Sequence, residues 1–298
     1  MPTRVKVDFI VPGFSKCGTT TLCALLDLNP GVFIPAIKEP WYFSHDEFET
    51  QHECYDDHYA DARDGQLKGD GSTDYTGYMR EKISAQRIFE NNPDCRFIFI
   101  ARNPRSRIES SYREMHHSGV NFGLNAPYAL GDCLRVFPQM IQDTLFWERL
   151  CTYRDMFGDD AILVVFLEEL KADRNKVLTD CFNHIGLSID DMPDAGAIKL
   201  NAGARKLYDS RVFRFLRSNR FTGMKLAKID GARQDRIFSR LGLRRAFRKK
   251  PLPWDKHALA VFDEQIAPDC KRLLEYCGKH PGFWDLDIPA TRFNNREK

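Results

Sequence analysis

Several features are missing from this sequence of 298 residues, and each absence narrows what the chain can be. No apolar run approaches the length of a membrane-crossing helix. Met1 is followed almost at once by a strand-like segment, which leaves no room for a secretory leader, so a cytoplasmic protein is expected. The nine cysteines stand singly, odd in number and without a Cys-x-x-Cys pair; this suits a reducing compartment better than a disulfide framework. His45, His52 and His58 lack metal-ligand spacing, and no metal is expected. Gly-x-Ser-x-Gly and His-Glu-x-x-His are absent, as are repeats, low-complexity tracts and Gly/Ser linkers. The length suffices for one large domain or two small ones; a single domain over 1–298, with no nucleic-acid partner, is the expectation.

What remains is 43% hydrophobic and 29% charged, the balance of a soluble globular chain. Strand candidates are Val5–Val11, Val32–Ile34, Phe97–Ala101 and Ala161–Phe166. Helix candidates are Thr19–Asp27, Arg105–His116, Thr144–Phe157 and Lys171–Ile185, the last stopped by Gly186. Strands alternating with helices predict a parallel sheet covered on both faces, with ligands at the carboxyl ends of its strands. The net charge of +2 hides an asymmetry: 205–250 carries 16 Lys/Arg against Asp209, Asp230 and Asp235. Val212, Phe215, Leu216, Ile237, Phe238 and Leu241 interleave with those arginines, predicting basic amphipathic helices. They would pack on the core, or meet an acidic glycan or an anionic membrane surface.

The densest chemistry lies at Val5–Leu22. A strand-like run breaks at Pro12-Gly13, and Ser15-Lys16-Cys17-Gly18-Thr19-Thr20-Thr21-Leu22 then opens a helix. Free N–H groups and the positive end of the helix dipole make such a turn an anion site, to which Lys16 adds charge and the threonines add hydroxyls. Lys16 precedes Gly18, whereas the common nucleotide loop places Lys after its last Gly, and no Gly-Lys-Ser/Thr occurs in the loop. A second strand-like run, Arg96–Ala101, feeds Arg102-Asn103-Pro104 and a helix bearing Ser110. Between them stand Lys38-Glu39-Pro40-Trp41-Tyr42-Phe43 and the turn-rich Gly69–Tyr78. Aromatic neighbours are expected to desolvate Glu39 and raise its pKa, suiting it to take a proton from a hydroxyl.

In this order the segments resemble the sulfotransferases that use 3′-phosphoadenosine 5′-phosphosulfate (PAPS), of the carbohydrate (heparan sulfate-like) and bacterial types. The resemblance implies an α/β fold, three-layered and nucleotide-kinase-like, with a central parallel sheet and a helical C-terminal part. It implies that Ser15, Lys16, Cys17, Gly18, Thr19 and Thr20 bind the 5′-phosphosulfate. Arg102 and Ser110 would hold the 3′-phosphate, with Arg205 in a loop closing over the nucleotide. Lys16 would stabilise the leaving oxygen and Glu39 would act as general base, with Asp70 the second candidate. Lys38, Trp41, Asp70, Ser72, Tyr75 and His116 would face the acceptor, a hydroxyl or amine on a carbohydrate or glycoconjugate, and 3′-phosphoadenosine 5′-phosphate (PAP) would be the product. Asp70 replaces the family's usual Glu, and Gly71 stands where heparan-type enzymes tend to have Lys, which weakens the case for a sulfated polysaccharide. A kinase on the same fold and a non-enzymatic protein binding anions or membrane surfaces are the alternatives.

Overall fold

The computed structural model of the chain describes residues 5–118, 124–189, 206–219, 222, 226, 231–247 and 252–287. Its backbone falls into two compact units. One comprises Met1–Pro104, Ile141–Leu200 and Gln265–Leu286; the other comprises Arg105–Met140, Asn201–Glu264 and Asp287–Lys298.

In the first unit, strands β1 (Phe9–Gly13), β2 (Val32–Phe33), β3 (Leu67–Asp70), β4 (Arg96–Ala101) and β5 (Ile162–Phe166) form a parallel sheet ordered β2-β3-β1-β4-β5. A parallel sheet must bury both faces, and the two-residue period of β4 supplies both. Phe97 and Phe99 turn toward helix Phe146–Phe157, with ring centroids 5.0 and 5.4 Å from Tyr153. Ile98 and Ile100 turn the other way, into a core with Leu22 and Leu26 of helix Thr19–Leu26 and Val177 and Phe182 of helix Arg174–Ile185. Each such buried side chain contributes about 1.5–3 kcal/mol of transfer free energy. The result is the expected three-layer α/β arrangement. Among the described residues no helix is long and apolar enough to cross a membrane.

Three local expectations are corrected. Strand β1 begins later than Val5 and runs through Pro12-Gly13; its pairing with β4 shifts register between Ile10 and Gly13, an irregularity that accommodates a residue without an N–H. The Lys171–Ile185 helix is really two, Leu167–Ala172 and Arg174–Ile185, divided at Asp173, whose carboxylate caps the second by accepting from Lys176 N at 3.0 Å. The stretch read as turn-rich from Gly69 opens inside strand β3, because Leu67-Lys68-Gly69-Asp70 carries neither an apolar run nor a clean alternation to mark it.

The second unit contains helices Pro104–His117 (from Arg105 onward), Leu130–Val136, Arg211–Ser218 and Gly231–Arg240, and the antiparallel pair β6 (Leu207–Asp209) and β7 (Arg244–Ala246). The two basic helices are present as expected, but their packing side chains are Phe213 and Phe238, with ring centroids 4.3 Å apart. Val212, Phe215, Ile237 and Leu241 are exposed. The buried carboxylate of Asp209 pairs with Arg217 at 2.8 Å and Arg244 at 3.1 Å, and Arg244 also pairs with Asp235.

Candidate active site

Strand β1 ends at Gly13, and the following loop turns into helix Thr19–Leu26 through Gly18, which has φ 105°. That angle favours glycine, and a Cβ there would lie 2.8 Å from a methyl of Leu167. Lys16 is also left-handed, with φ 67°, a strained conformation for a lysine. Loop and sheet are joined by Phe14 N donating to the Ile100 carbonyl at 2.9 Å and by Arg102 Nη1 donating to the Lys16 carbonyl at 3.3 Å. The ends of β1 and β4 thus bring Lys16 and Arg102 together. Thr20 is exposed, Ser15 and Lys16 are half-buried, and Thr19 is buried. Cys17 has a different role from the one expected: its side chain is buried and its N–H bonds to the Phe14 carbonyl at 3.1 Å, so it shapes the loop from within. A Gly-hinged turn, the N–H groups of a helix start and a lysine fit a phosphate-like anion. Among the described residues, no group of His, Cys, Asp and Glu is arranged to hold a metal.

Lys38 and Glu39 meet this loop. Lys38 Nζ donates to Thr19 Oγ1 at 3.3 Å, to Glu39 Oε1 at 2.5 Å and to the Gly71 carbonyl at 2.8 Å. Glu39 Oε2 accepts from Trp41 Nε1 at 3.1 Å and Thr73 Oγ1 at 3.0 Å. Burial raises the pKa of Glu39, but the charge of Lys38 and the hydrogen bonds from Lys38, Trp41 and Thr73 outweigh it and hold the carboxyl below its ordinary range. The expectation of a raised value is therefore reversed: aromatic desolvation is present, and a neighbouring cation overrides it.

Glu39 opens on a cleft of about 400 Å³ lined by Ser15, Glu39, Trp41, Thr73, Asp74, Gly77 and Asp143. Trp41 is 51% exposed and presents its indole there, at a backbone φ of 56°. Asp70, Ser72 and Tyr75, expected to face the acceptor, are all 0% exposed. Asp70 accepts from Ser72 N and Oγ at 2.9 and 2.6 Å, and from the hydroxyls of Tyr75 and Tyr55 at 2.8 and 3.1 Å. Burial raises its pKa against those hydrogen bonds. With no open face it is a buttress, not an alternative base. Ser72 Oγ in turn accepts from Trp41 N at 3.0 Å, so the Asp70 network sets the turn that carries Trp41 and Glu39. Lys38 is not among the residues that line that cleft.

Ser110 and His116 belong to the second unit. His116 is 2% exposed and neutral; Nε2 donates to the Pro127 carbonyl at 3.1 Å and Nδ1 accepts from Arg214 at 3.2 Å. Burial and the Arg214 charge push its pKa down to about 4, and at 2% exposure its ring has almost no open face to offer an acceptor. Arg205 lies outside the described residues. Sequence reading missed Thr73 and Asp74, which stand in a stretch already singled out as turn-rich. It also missed Asp143, for which the sequence offers no signal.

A family model described as "Sulfotransferase domain" matches residues 6–250. The structure resembles a sulfotransferase from Alicyclobacillus acidocaldarius at TM-score 0.61 and 20% identity, over 94% of this chain and 99% of that one. It also resembles the sulfotransferase domain from the curacin biosynthetic pathway at TM-score 0.51 and 14% identity, over 88% and 98% respectively. At such identities the likeness speaks for the fold. No curated protein matches the chain.

Proposed function

The chain belongs to the sulfotransferase family, and we propose that it transfers a sulfuryl group from PAPS to an acceptor hydroxyl held in the cleft beside Glu39. The observation that carries this reading is the chain of contacts from Thr19 through Lys38 to Glu39, which joins an anion loop to a carboxylate opening on a cleft. PAPS would supply an activated sulfuryl group on a phosphate leaving group. The backbone N–H groups at Gly18–Thr20 would bind its 5′-phosphate, and Lys16 would neutralise charge growing on the leaving oxygen. Glu39, ionised at neutral pH, would take the acceptor proton as the acceptor oxygen bonds to sulfur and the sulfur–oxygen bond to phosphate breaks. Arg102, anchored on the loop carbonyl, is the proposed 3′-phosphate ligand. We read the chain as one sulfotransferase domain, since the family match runs through segments of both compact units.

The cleft also bears on the acceptor. An exposed indole suits a sugar ring or another flat apolar face. Glu39, Asp74 and Asp143 oppose an anionic acceptor through like-charge repulsion. A neutral carbohydrate or glycoconjugate hydroxyl fits better than a sulfated glycan. The test is thermal unfolding with PAP, ADP or Mg-ATP at matched concentrations, since a ligand of the native state raises the melting temperature. A PAP-selective rise supports the reading, to be followed by a PAPS acceptor screen begun with neutral glycans. A preference for Mg-ATP would favour the kinase alternative.

We also propose that the second unit meets an anionic membrane surface, a reading supported by Val212, Phe215 and Leu241 being 63%, 71% and 64% exposed on or beside arginine-rich helices.

A further inference from the structure

Lys38 is placed with more care than a surface lysine needs. Its side chain is only 16% exposed. Its backbone is left-handed, with φ 59°, and is held there by Lys38 N donating to the Pro35 carbonyl at 2.7 Å and Gly71 N donating to the Lys38 carbonyl at 3.0 Å. The bare α-carbon of Gly71 makes room for its stem: a Cβ at that position would lie 3.0 and 3.1 Å from Lys38 Cγ and Cε. The ammonium's N–H groups are spent on three acceptors belonging to three segments: the first residue of the helix behind the anion loop, the carboxylate on the cleft, and the chain after β3. Strained backbone that the surroundings maintain is a frequent mark of function.

We propose that Lys38 couples the anion loop to Glu39: an anion held beside Thr19 draws the ammonium's charge away from the carboxylate, which then takes the acceptor proton more readily. This rests on the proposed PAPS-dependent reaction and adds to it an ordered trigger. The ammonium sits one hydrogen bond from the helix start where a phosphate binds, and one from the base. A phosphate and a carboxylate compete for a single cation, so the gain of one is the other's loss. In the transfer step the acceptor oxygen forms a bond to sulfur and the sulfur–oxygen bond to the nucleotide phosphate breaks. The bonding pair stays on that phosphate oxygen, and the acceptor proton passes to Glu39. The coupling makes Glu39 a better base once the nucleotide is bound.

Linkage supplies the test: if anion binding makes Glu39 hold a proton more tightly, it must be accompanied by proton uptake at that residue. PAP binding is measured calorimetrically between about pH 4 and 6, spanning the ordinary glutamate range, in buffers of different ionisation enthalpy. The proteins are the wild type, Glu39→Gln, Lys38→Met, Lys38→Arg and the Lys38→Met/Glu39→Gln double variant. The wild type minus Glu39→Gln difference isolates Glu39 from protons exchanged by PAP itself, and the double variant closes the cycle. The expected result is a Glu39-dependent uptake of a fraction of a proton in the wild type, lost in Lys38→Met and restored in Lys38→Arg. An uptake in Lys38→Met equal to or above that of the wild type overturns the coupling while leaving the sulfotransferase reading intact. Failure of the wild type to bind PAP overturns both.

Discussion

At the scale of single residues, the site turns on which charge faces Glu39. Burial alone would make it a reluctant anion; Lys38 at 2.5 Å makes it a willing one. Glu39→Gln keeps the size but has one accepting oxygen instead of two and cannot take the acceptor proton. It should lower kcat roughly 10²–10⁴-fold while PAP binding persists, as measured by initial rates and calorimetry. The lowered pKa has a stability consequence with a definite sign. Glu39's contribution is fully present above its unfolded value of about 4.3 and is lost as pH falls through the lower folded value. Urea unfolding at a series of pH values should therefore show the wild type losing stability faster than Glu39→Gln in the acid range below about pH 4. Parallel curves would mean that the Lys38 pairing has no net effect on folding.

At the scale of elements, two buried polar networks hold segments that hydrophobic periodicity does not. Asp70, at the end of β3, gathers donors from Ser72, Tyr55 and Tyr75 and, through Ser72, fixes the turn at Trp41. Asp70→Ala strands those donors without an acceptor, and a loss of roughly 3 kcal/mol or more is expected in urea unfolding, with a fall in kcat beyond what the unfolded fraction explains. In the second unit, Asp209 pairs with Arg217 and Arg244, and Arg244 has Asp235 as a second partner. Asp209→Asn takes the carboxylate from Arg217 and leaves Arg244 with Asp235, a loss of up to roughly 3–5 kcal/mol. Hydrogen exchange should report the loss at β6, β7 and helix Arg211–Ser218. Unchanged protection there would show that the arginines find other partners. Helix Phe146–Phe157 shows the same device on a smaller scale, since Asp269 accepts from Trp147 N and Glu148 N at 3.0 and 2.9 Å.

At the scale of the whole molecule, a net charge of +2 conceals a cleft lined by carboxylates and a basic stretch at 205–250. This contrast underlies the two proposed partners, a neutral acceptor at the cleft and an anionic surface at the basic helices. Vesicles containing anionic lipid should bind the protein at low salt and release it as ionic strength passes about 0.15 M, where the Debye length falls to about 8 Å. Val212→Asp should weaken that binding without altering PAP affinity, checked by vesicle co-sedimentation. Binding that ignores salt, or no binding at low salt, would remove the membrane reading.

The sequence by itself determined the Gly-containing turn after β1 and the helix start behind it, the strand that delivers Arg102, and the order of the motifs. These features are local: an apolar run, a Gly-containing turn and a helix start are written in consecutive residues. Even the unlike placement of Lys16 before Gly18 could be read there. The tertiary structure decided the rest. It made Leu67–Asp70 a strand, because pairing with β1 and β2 supplies hydrogen bonds that its own composition does not request. It buried Asp70 and His116, because exposure is a property of neighbours brought in from distant segments. It delivered Asp143 to the cleft from far along the chain. It also reversed the expected pKa shift of Glu39, because ionisation depends on the distance to a charge and on what holds that charge in place. Here Thr19 and the Gly71 carbonyl hold Lys38 against the carboxylate, and neither partner is adjacent to it in the sequence.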